Sequence, residues 1–232
     1  MVEQFTQLSP QRIRANLAAI RAEIARAGAQ AGRWSPAEAA ARAAAEVRVL
    51  AAIKYVPAQE LPALAQAGVE LVGENRAQEL QAKVAAHGEL FRWDFIGQLQ
   101  SRRVKLIVPH VRLIHSVASE SALGALERHR EQARPDLELL IEVNLAGDPG
   151  KAGVTPEQLD RFIERAPLPV VGLMTMPPLT RDPETSRRWF AALRELAAAR
   201  GLGELSMGTT QDYAAAVAEG ATIVRIGSRL YA

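Results

Sequence analysis

Eight short apolar runs, each followed by a stretch with helical signals, constrain this chain more than any other feature. They are Val47 to Ile53, Val69 to Val72, Trp93 to Ile96, Val111 to His115, Leu137 to Val143, Val170 to Met174, Glu204 to Met207 and Ile223 to Ile226. Short runs rich in β-branched residues that alternate with helices imply parallel strands joined by crossover helices. The helices announce themselves chemically. Val56-Pro57 opens one that Gly68 closes, Ser119 caps another, and Thr155-Pro156-Glu157-Gln158 joins a capping box to a first-turn proline. Asp182-Pro183 starts a further helix, with Gly201 just past its end. At 232 residues, 48% of them hydrophobic, the chain is near the roughly 250 typical of an eight-stranded α/β barrel. A doubly wound open sheet is the alternative, but no Gly-x-Gly-x-x-Gly follows the first strand. The expected architecture is a (β/α)8 TIM-type barrel forming a single domain over residues 1–232.

An extra N-terminal helix precedes the barrel. Ser9-Pro10 reads as an N-cap followed by proline at the first helical position, and Ile13, Leu17, Ile20 and Ile24 recur at helical spacing. Between Arg33 and Glu46 an alanine-rich stretch carries the capping-box form Ser35-Pro36-Ala37-Glu38, which fits either a short helix or a tolerant surface insertion. The start, Met1 to Arg14, carries Glu3, Gln4 and Gln7 and lacks the basic and apolar regions of a signal peptide. No apolar run approaches the eighteen or so residues of a membrane span. The absence of cysteine excludes disulfides, thiolate catalysis and cysteine-ligated metal, and net charge is +2 with arginines dispersed among glutamates. The expectation is a soluble, cytoplasmic, monomeric protein with neither nucleic acid nor membrane as partner.

In a barrel of this kind the site forms at the carboxyl ends of the strands. The first strand ends in Ala52-Ile53-Lys54-Tyr55. Desolvation at the rim would disfavour the Lys54 ammonium and free its amine for attack on an aldehyde; an exposed or salt-bridged lysine fits the same letters. The second strand ends in Gly73-Glu74-Asn75, the third in Gly97-Gln98-Leu99-Gln100, the fifth in Asn144 and the sixth in Met174-Thr175-Met176. Glu74 and Asn75 also suit a helix cap, and the two methionines suit a wall. The last two strands lead into Ser206-Met207-Gly208-Thr209-Thr210 and Arg225-Ile226-Gly227-Ser228-Arg229. Glycines there allow close backbone approach, hydroxyls and amides donate, and the loops after strands seven and eight commonly hold phosphate in such barrels. Arg225, inside an apolar strand, should point into the barrel mouth if its neighbours face the helices.

These residues carry a resemblance that covers nearly the whole chain. It runs from the Lys54 strand through Val72-Gly73-Glu74-Asn75, Gln78-Glu79, Trp93-Asp94-Phe95-Ile96-Gly97-Gln98-Leu99-Gln100, Glu142-Val143-Asn144-Leu145-Ala146-Gly147, Lys151-Ala152-Gly153, Gly172-Leu173-Met174-Thr175-Met176-Pro177, Leu205-Ser206-Met207-Gly208 and Val224-Arg225-Ile226-Gly227. In these motifs the chain resembles the pyridoxal-phosphate homeostasis proteins, which share the alanine-racemase-like N-terminal barrel. The resemblance implies a pyridoxal 5′-phosphate carrier or reservoir acting in vitamin B6 balance, with Lys54 matching the Schiff-base lysine. It also implies cofactor contacts at Asn75 and Met207, an arginine at the pyridine nitrogen in Arg225, and a phosphate cup of Thr210, Gly227 and Ser228. Beside a pyridine nitrogen, a guanidinium donates a hydrogen bond and disfavours the protonated ring, which makes the cofactor a poor electron sink. The chain departs from the family pattern at Asp94, where a histidine is usual, at Ser101-Arg102-Arg103, and at Tyr55.

Three functions remain open at this point. One is a non-catalytic carrier that yields its cofactor to apoenzymes, the expectation being that the chain, ending at Ala232, carries no further domain to supply an opposed base. The second is a weak amino-acid racemase or deaminase using Lys54 and a residue such as Tyr55. The third is a barrel for another phosphorylated metabolite, with Lys54 neutralising it.

Overall fold

The computed structural model of the protein describes residues 4–180 and 182–232; Glu3 lies outside the described residues. The opening helix, α1 (Pro10–Gln30), is capped as its sequence predicts: Ser9 Oγ accepts from the Arg12 amide at 3.3 Å, and Ile13, Leu17, Ile20 and Ile24 form its buried stripe. The Asn16 side chain donates to the carbonyls of Leu230 and Ala232, tying this helix to the chain's end. The alanine-rich stretch is a helix, α2 (Ala39–Glu46), starting later than the serine motif suggested. Ser35 Oγ meets the Glu38 carboxylate instead of a backbone amide. Burial of Trp34, Ala39 and Ala43 makes this segment part of the packed core, not a surface insertion.

Eight parallel strands close into a barrel in sequence order: β1 (Arg48–Ala52), β2 (Leu71–Glu74), β3 (Arg92–Phe95), β4 (Leu113–Val117), β5 (Glu138–Glu142), β6 (Val170–Met174), β7 (Glu204–Thr209) and β8 (Ile223–Ile226). The ring shuts where β8 pairs with β1, Val224 opposite Val49 and Arg225 opposite Leu50. Around it lie α3 (Leu61–Gln66), α4 (Ala77–His87), α5 (Glu120–Arg128), α6 (Leu159–Glu164), α7 (Arg187–Ala198), α8 (Tyr213–Ala218) and α9 (Ser228–Tyr231). The β3 to β4 crossover is a 3-10 helix, Ser101–Leu106; the connection is short, and the tighter helix rises about 2 Å per residue against 1.5 Å. Strand β2 begins two residues later than its apolar run because the Val69 amide closes the preceding helix by bonding to Leu64 O, after Gly68 at φ 86°. Ser119 caps α5, Thr155 and Gln158 form the expected box, and the Asp182 carboxylate accepts from the Glu184 amide.

Strand parity sorts the side chains into two populations. Ala51, Val72, Ile114, Leu139, Leu173, Val224 and Ile226 pack outward against the helices in one core. Leu50, Leu71, Leu113, Leu140, Met174 and Ile223 form a second cluster that plugs the barrel, which is therefore a packed core and not a pore. Nearer the carboxyl ends the buried interior turns polar, with Asp94, His115, Glu142, Ser206 and Arg225. Between β7 and β8 the register slips, Ser206 facing Ile223 but Thr209 facing Arg225. Gly208 absorbs this bulge at φ 86°, and any Cβ there would lie 2.6 Å from the Ala216 Cβ.

Candidate functional site

A cavity of about 790 Å³ opens at the carboxyl ends of the strands, and Lys54, Asn75, Thr210, Arg225, Gly227 and Ser228 all line it. Six of the seven cofactor positions expected from the sequence thus meet in one place. Met207 does not: it follows inward-facing Ser206 on β7, so alternation turns its side chain outward, where it is fully buried against the helices. Asn144 is likewise no cavity residue; its Nδ2 donates to Asp148 O at 2.8 Å and holds the loop after β5. Phe5, Tyr55, Ile96, Gly97 and Met176 are among the other wall residues. Phe5 escaped the sequence reading because it precedes every periodic segment, yet its amide donates to Tyr55 O and its ring lies 5.0 Å from that of Tyr231.

Lys54 occupies the turn just past β1 and is exposed, so the burial expected of it is not found. Its neighbours are nevertheless fixed. The Ile53 carbonyl accepts from Lys83 Nζ at 2.9 Å, and Lys83 also meets Glu74 Oε2 at 2.5 Å, both side chains being buried. The other Glu74 oxygen accepts from the amides of Asn75 and Arg76. Glu74 therefore takes the capping role weighed for it, while Asn75 Oδ1 is buried on the cavity wall with no hydrogen-bond partner among the described residues. A native protein rarely strands such an acceptor without a ligand or water to serve it.

Opposite, the loops after β7 and β8 are latched together: Thr210 Oγ1 accepts from the Gly227 amide at 3.0 Å. That leaves the Thr210 hydroxyl proton for a ligand, since no acceptor for it exists among the described residues. Asp212 steadies the same loop, taking the Thr209 amide at 2.7 Å and its hydroxyl at 3.0 Å.

Arg225 enters the interior as alternation demands, flanked by outward Val224 and Ile226, and is 6% exposed. Its NH1 donates to the Ser206 carbonyl and hydroxyl at 2.8 and 2.6 Å, and NH2 to Thr175 O and Met176 Sδ at 3.0 and 2.9 Å. Burial brings this guanidinium down to about 10, against the favourable fields of Glu142 and Asp212, so it stays charged at neutral pH. Glu142 is pushed up by its own burial, with Arg225 opposing. The departures at Asp94 on β3 and Arg103 in the 3-10 helix that follows resolve differently. Arg103 faces the amide oxygen of Gln78 on α4, whereas Asp94 is wholly buried, bonded to Arg112 and His115. Neither lines the cavity.

Comparisons with known proteins identify the family of this barrel. The sequence model described as "Alanine racemase, N-terminal domain" matches residues 8–232. A protein named "Pyridoxal phosphate homeostasis protein" from Aquifex aeolicus is 38% identical over 195 residues, covering 79% of this chain and 86% of the relative. The solved structure of PipY from Synechococcus elongatus, described as having PLP bound, superposes with a TM-score of 0.76 at 31% identity, over 95% of this chain and 100% of PipY. A structure of a protein from Bifidobacterium adolescentis, described as unknown, reaches a TM-score of 0.83 at 30% identity, over 99% and 98% of the two chains. On fold, on motif and on overall likeness, this chain belongs to the alanine racemase N-terminal domain family and, within it, to the pyridoxal phosphate homeostasis proteins.

Proposed function

We propose that this protein is a carrier of pyridoxal 5′-phosphate acting in vitamin B6 balance, built as one barrel domain over the whole chain, with Lys54 as its covalent anchor. The observation that carries the reading is a single cavity whose walls offer a primary amine, a buried guanidinium, an unpaired buried acceptor and a hydroxyl-bearing double loop. The donor set fits the group. Bound there, pyridoxal phosphate supplies an aldehyde that amines condense with and a ring that stabilises negative charge. Lys54 would supply the anchoring amine. Thr210, Gly227 and Ser228 would hold the phosphate, Asn75 Oδ1 would supply an acceptor, and Arg225 would donate toward the ring nitrogen.

Two features favour a carrier over an enzyme. A guanidinium at the ring nitrogen disfavours ring protonation and weakens the electron sink. Racemisation also needs acid–base groups on both faces of a carbanion, and among the described residues the titratable side chains lining the cavity are Lys54, Tyr55 and Arg225. Lys54 and Tyr55 are consecutive and lie together, Nζ 5.1 Å from the ring centre, so they do not oppose one another. On this reading the protein acts in the cytoplasm as a monomer that yields its cofactor to apoenzymes; no described helix is long and apolar enough to cross a membrane. The test is to incubate loaded protein with L-alanine in deuterated water and follow α-proton exchange and chirality, with Lys54→Ala as the blank. Exchange near the blank, with transfer of the cofactor to a tighter-binding apoenzyme, is expected. Lys54-dependent exchange with inversion, at the roughly 1 to 1000 per second usual for enzymes, would establish the racemase reading instead.

A further inference from the structure

The polar layer beneath the cavity contains a chain of contacts that crosses the barrel. Asp94 Oδ2 on β3 lies 3.0 Å from His115 Nε2 on β4; His115 Nδ1 lies 2.8 Å from Ser206 Oγ on β7; and Ser206 Oγ lies 2.6 Å from Arg225 NH1 on β8. Arg112 completes the far end, its NH2 2.9 Å from the same Asp94 oxygen. Asp94, His115 and Ser206 are all fully buried, where the rule is that a polar proton has an acceptor; Asp94 Oδ1 and Arg112 Nε are the atoms of this layer left without a partner among the described residues.

That requirement fixes a direction. An ionised Asp94, paired with Arg112, only accepts, so Nε2 of His115 must carry a proton. Arg225 only donates, so Ser206 Oγ must accept from it, and the Ser206 proton then has one destination, an unprotonated His115 Nδ1. A doubly protonated ring would send Nδ1–H into the serine oxygen and leave the hydroxyl proton with no acceptor. With NH1 and NH2 both committed, the one Arg225 donor lacking an acceptor among the described residues is Nε–H, on a residue that lines the cavity.

We infer that Asp94 and His115 are positioning residues for Arg225: by locking His115 in its neutral Nε2–H tautomer they keep Ser206 an acceptor, and so hold the guanidinium with Nε–H presented to the ligand. In this way the chain's departure from the family pattern at residue 94 acts on the far side of the barrel. The inference rests on the pyridoxal-phosphate reading only where it names the ligand atom that receives Nε–H. Burial lowers the His115 pKa, with Arg225 and Arg112 reinforcing this and Asp94 opposing it; a neutral ring agrees with the proton count.

The experiment begins with cofactor-free protein labelled with 15N in histidine and arginine. Wild type should show His115 as one neutral tautomer protonated at Nε2 and a sharp Arg225 Nε–H signal. A cationic ring or an Nδ1–H tautomer at neutral pH overturns the inference without any variant. In Asp94→Asn, whose amide can donate or accept, the ring should redistribute between tautomers. In Ser206→Ala the Arg225 signal should broaden while the His115 tautomer persists; an unchanged Arg225 signal in both variants overturns the link. Finally, pyridoxal phosphate labelled at its ring nitrogen should report a hydrogen-bonded, unprotonated nitrogen in wild type, moving toward the unbonded value in both variants. Failure of wild type to retain pyridoxal phosphate would sink the ligand assignment alone, since the tautomer and guanidinium signals are read without it.

Discussion

Lys83 gives the sharpest stability test of how the Lys54 turn is built. Its ammonium is 2% exposed, 2.5 Å from Glu74 Oε2 and 2.9 Å from the carbonyl of Ile53. At an effective dielectric near 20 the ion-pair attraction at that distance is about 7 kcal/mol, most of it offset by the desolvation of two ions. Removing one partner forfeits the attraction but not the burial of the other. Lys83→Met, which keeps an unbranched stem, should therefore cost about 3 to 5 kcal/mol, lowering Tm by roughly 6 to 20 °C in a chain of this length. The double variant Glu74→Gln with Lys83→Met should be more stable than Lys83→Met alone, because no charge is left stranded. Urea denaturation followed by circular dichroism measures both. A loss below about 1 kcal/mol for Lys83→Met, or a double variant weaker than the single, would refute the claim that this pair is a buried ionic clamp.

Lys54→Ala should change stability by no more than about 0.5 kcal/mol, since the side chain is exposed, while abolishing covalent retention of pyridoxal phosphate; urea melts and absorbance read the two effects separately. Gly97→Ala would set a Cβ 2.1 Å from the Asn75 carbonyl oxygen, so it should cost about 1 to 3 kcal/mol and weaken cofactor retention by displacing Asn75, as equilibrium dialysis would show. His115 has its folded pKa below the ordinary value of 6.5, so the unfolded chain binds the extra proton first and stability should fall as pH drops below about 6.5, by up to about 1.4 kcal/mol per pH unit. Partial burial lowers His110 as well and adds a slope of the same sign, so the measurement is the difference between wild type and His115→Gln in urea melts from pH 7 to 5; equal slopes would contradict it.

Much of this molecule was legible because barrel strands carry their signals locally. The eight apolar runs, the Ser9, Ser119 and Thr155 caps and the glycines past helix ends each act within a few residues, and each marks its element, with strand ends shifted by up to two residues at β2, β4 and β7. Arg225 was legible for the same reason, a lone charge in a strand whose neighbours are apolar. What escaped depended on contacts across the barrel or on strand parity beside a bulge. The outward turn of Met207 follows from Ser206 facing inward, and only the His115 and Arg225 contacts reveal that facing. Asp94 stood out as a departure from a family pattern, but Ser206, which it reaches through His115, lies on a strand more than a hundred residues later in the chain. The exposure of Lys54 was hidden because the turn after β1 extends past the strand end, which a run of apolar letters does not mark.

The central claim is that one lysine at the mouth of this barrel anchors pyridoxal phosphate. Purified protein mixed with pyridoxal phosphate, reduced with borohydride, digested and read by mass spectrometry tests it most directly. The account predicts loss of the near-visible absorbance on reduction and one modified peptide, carrying the added mass on Lys54. Modification at Lys83, Lys105 or Lys151 with Lys54 intact would contradict it, as would a protein that absorbs nothing in that region and gains no mass.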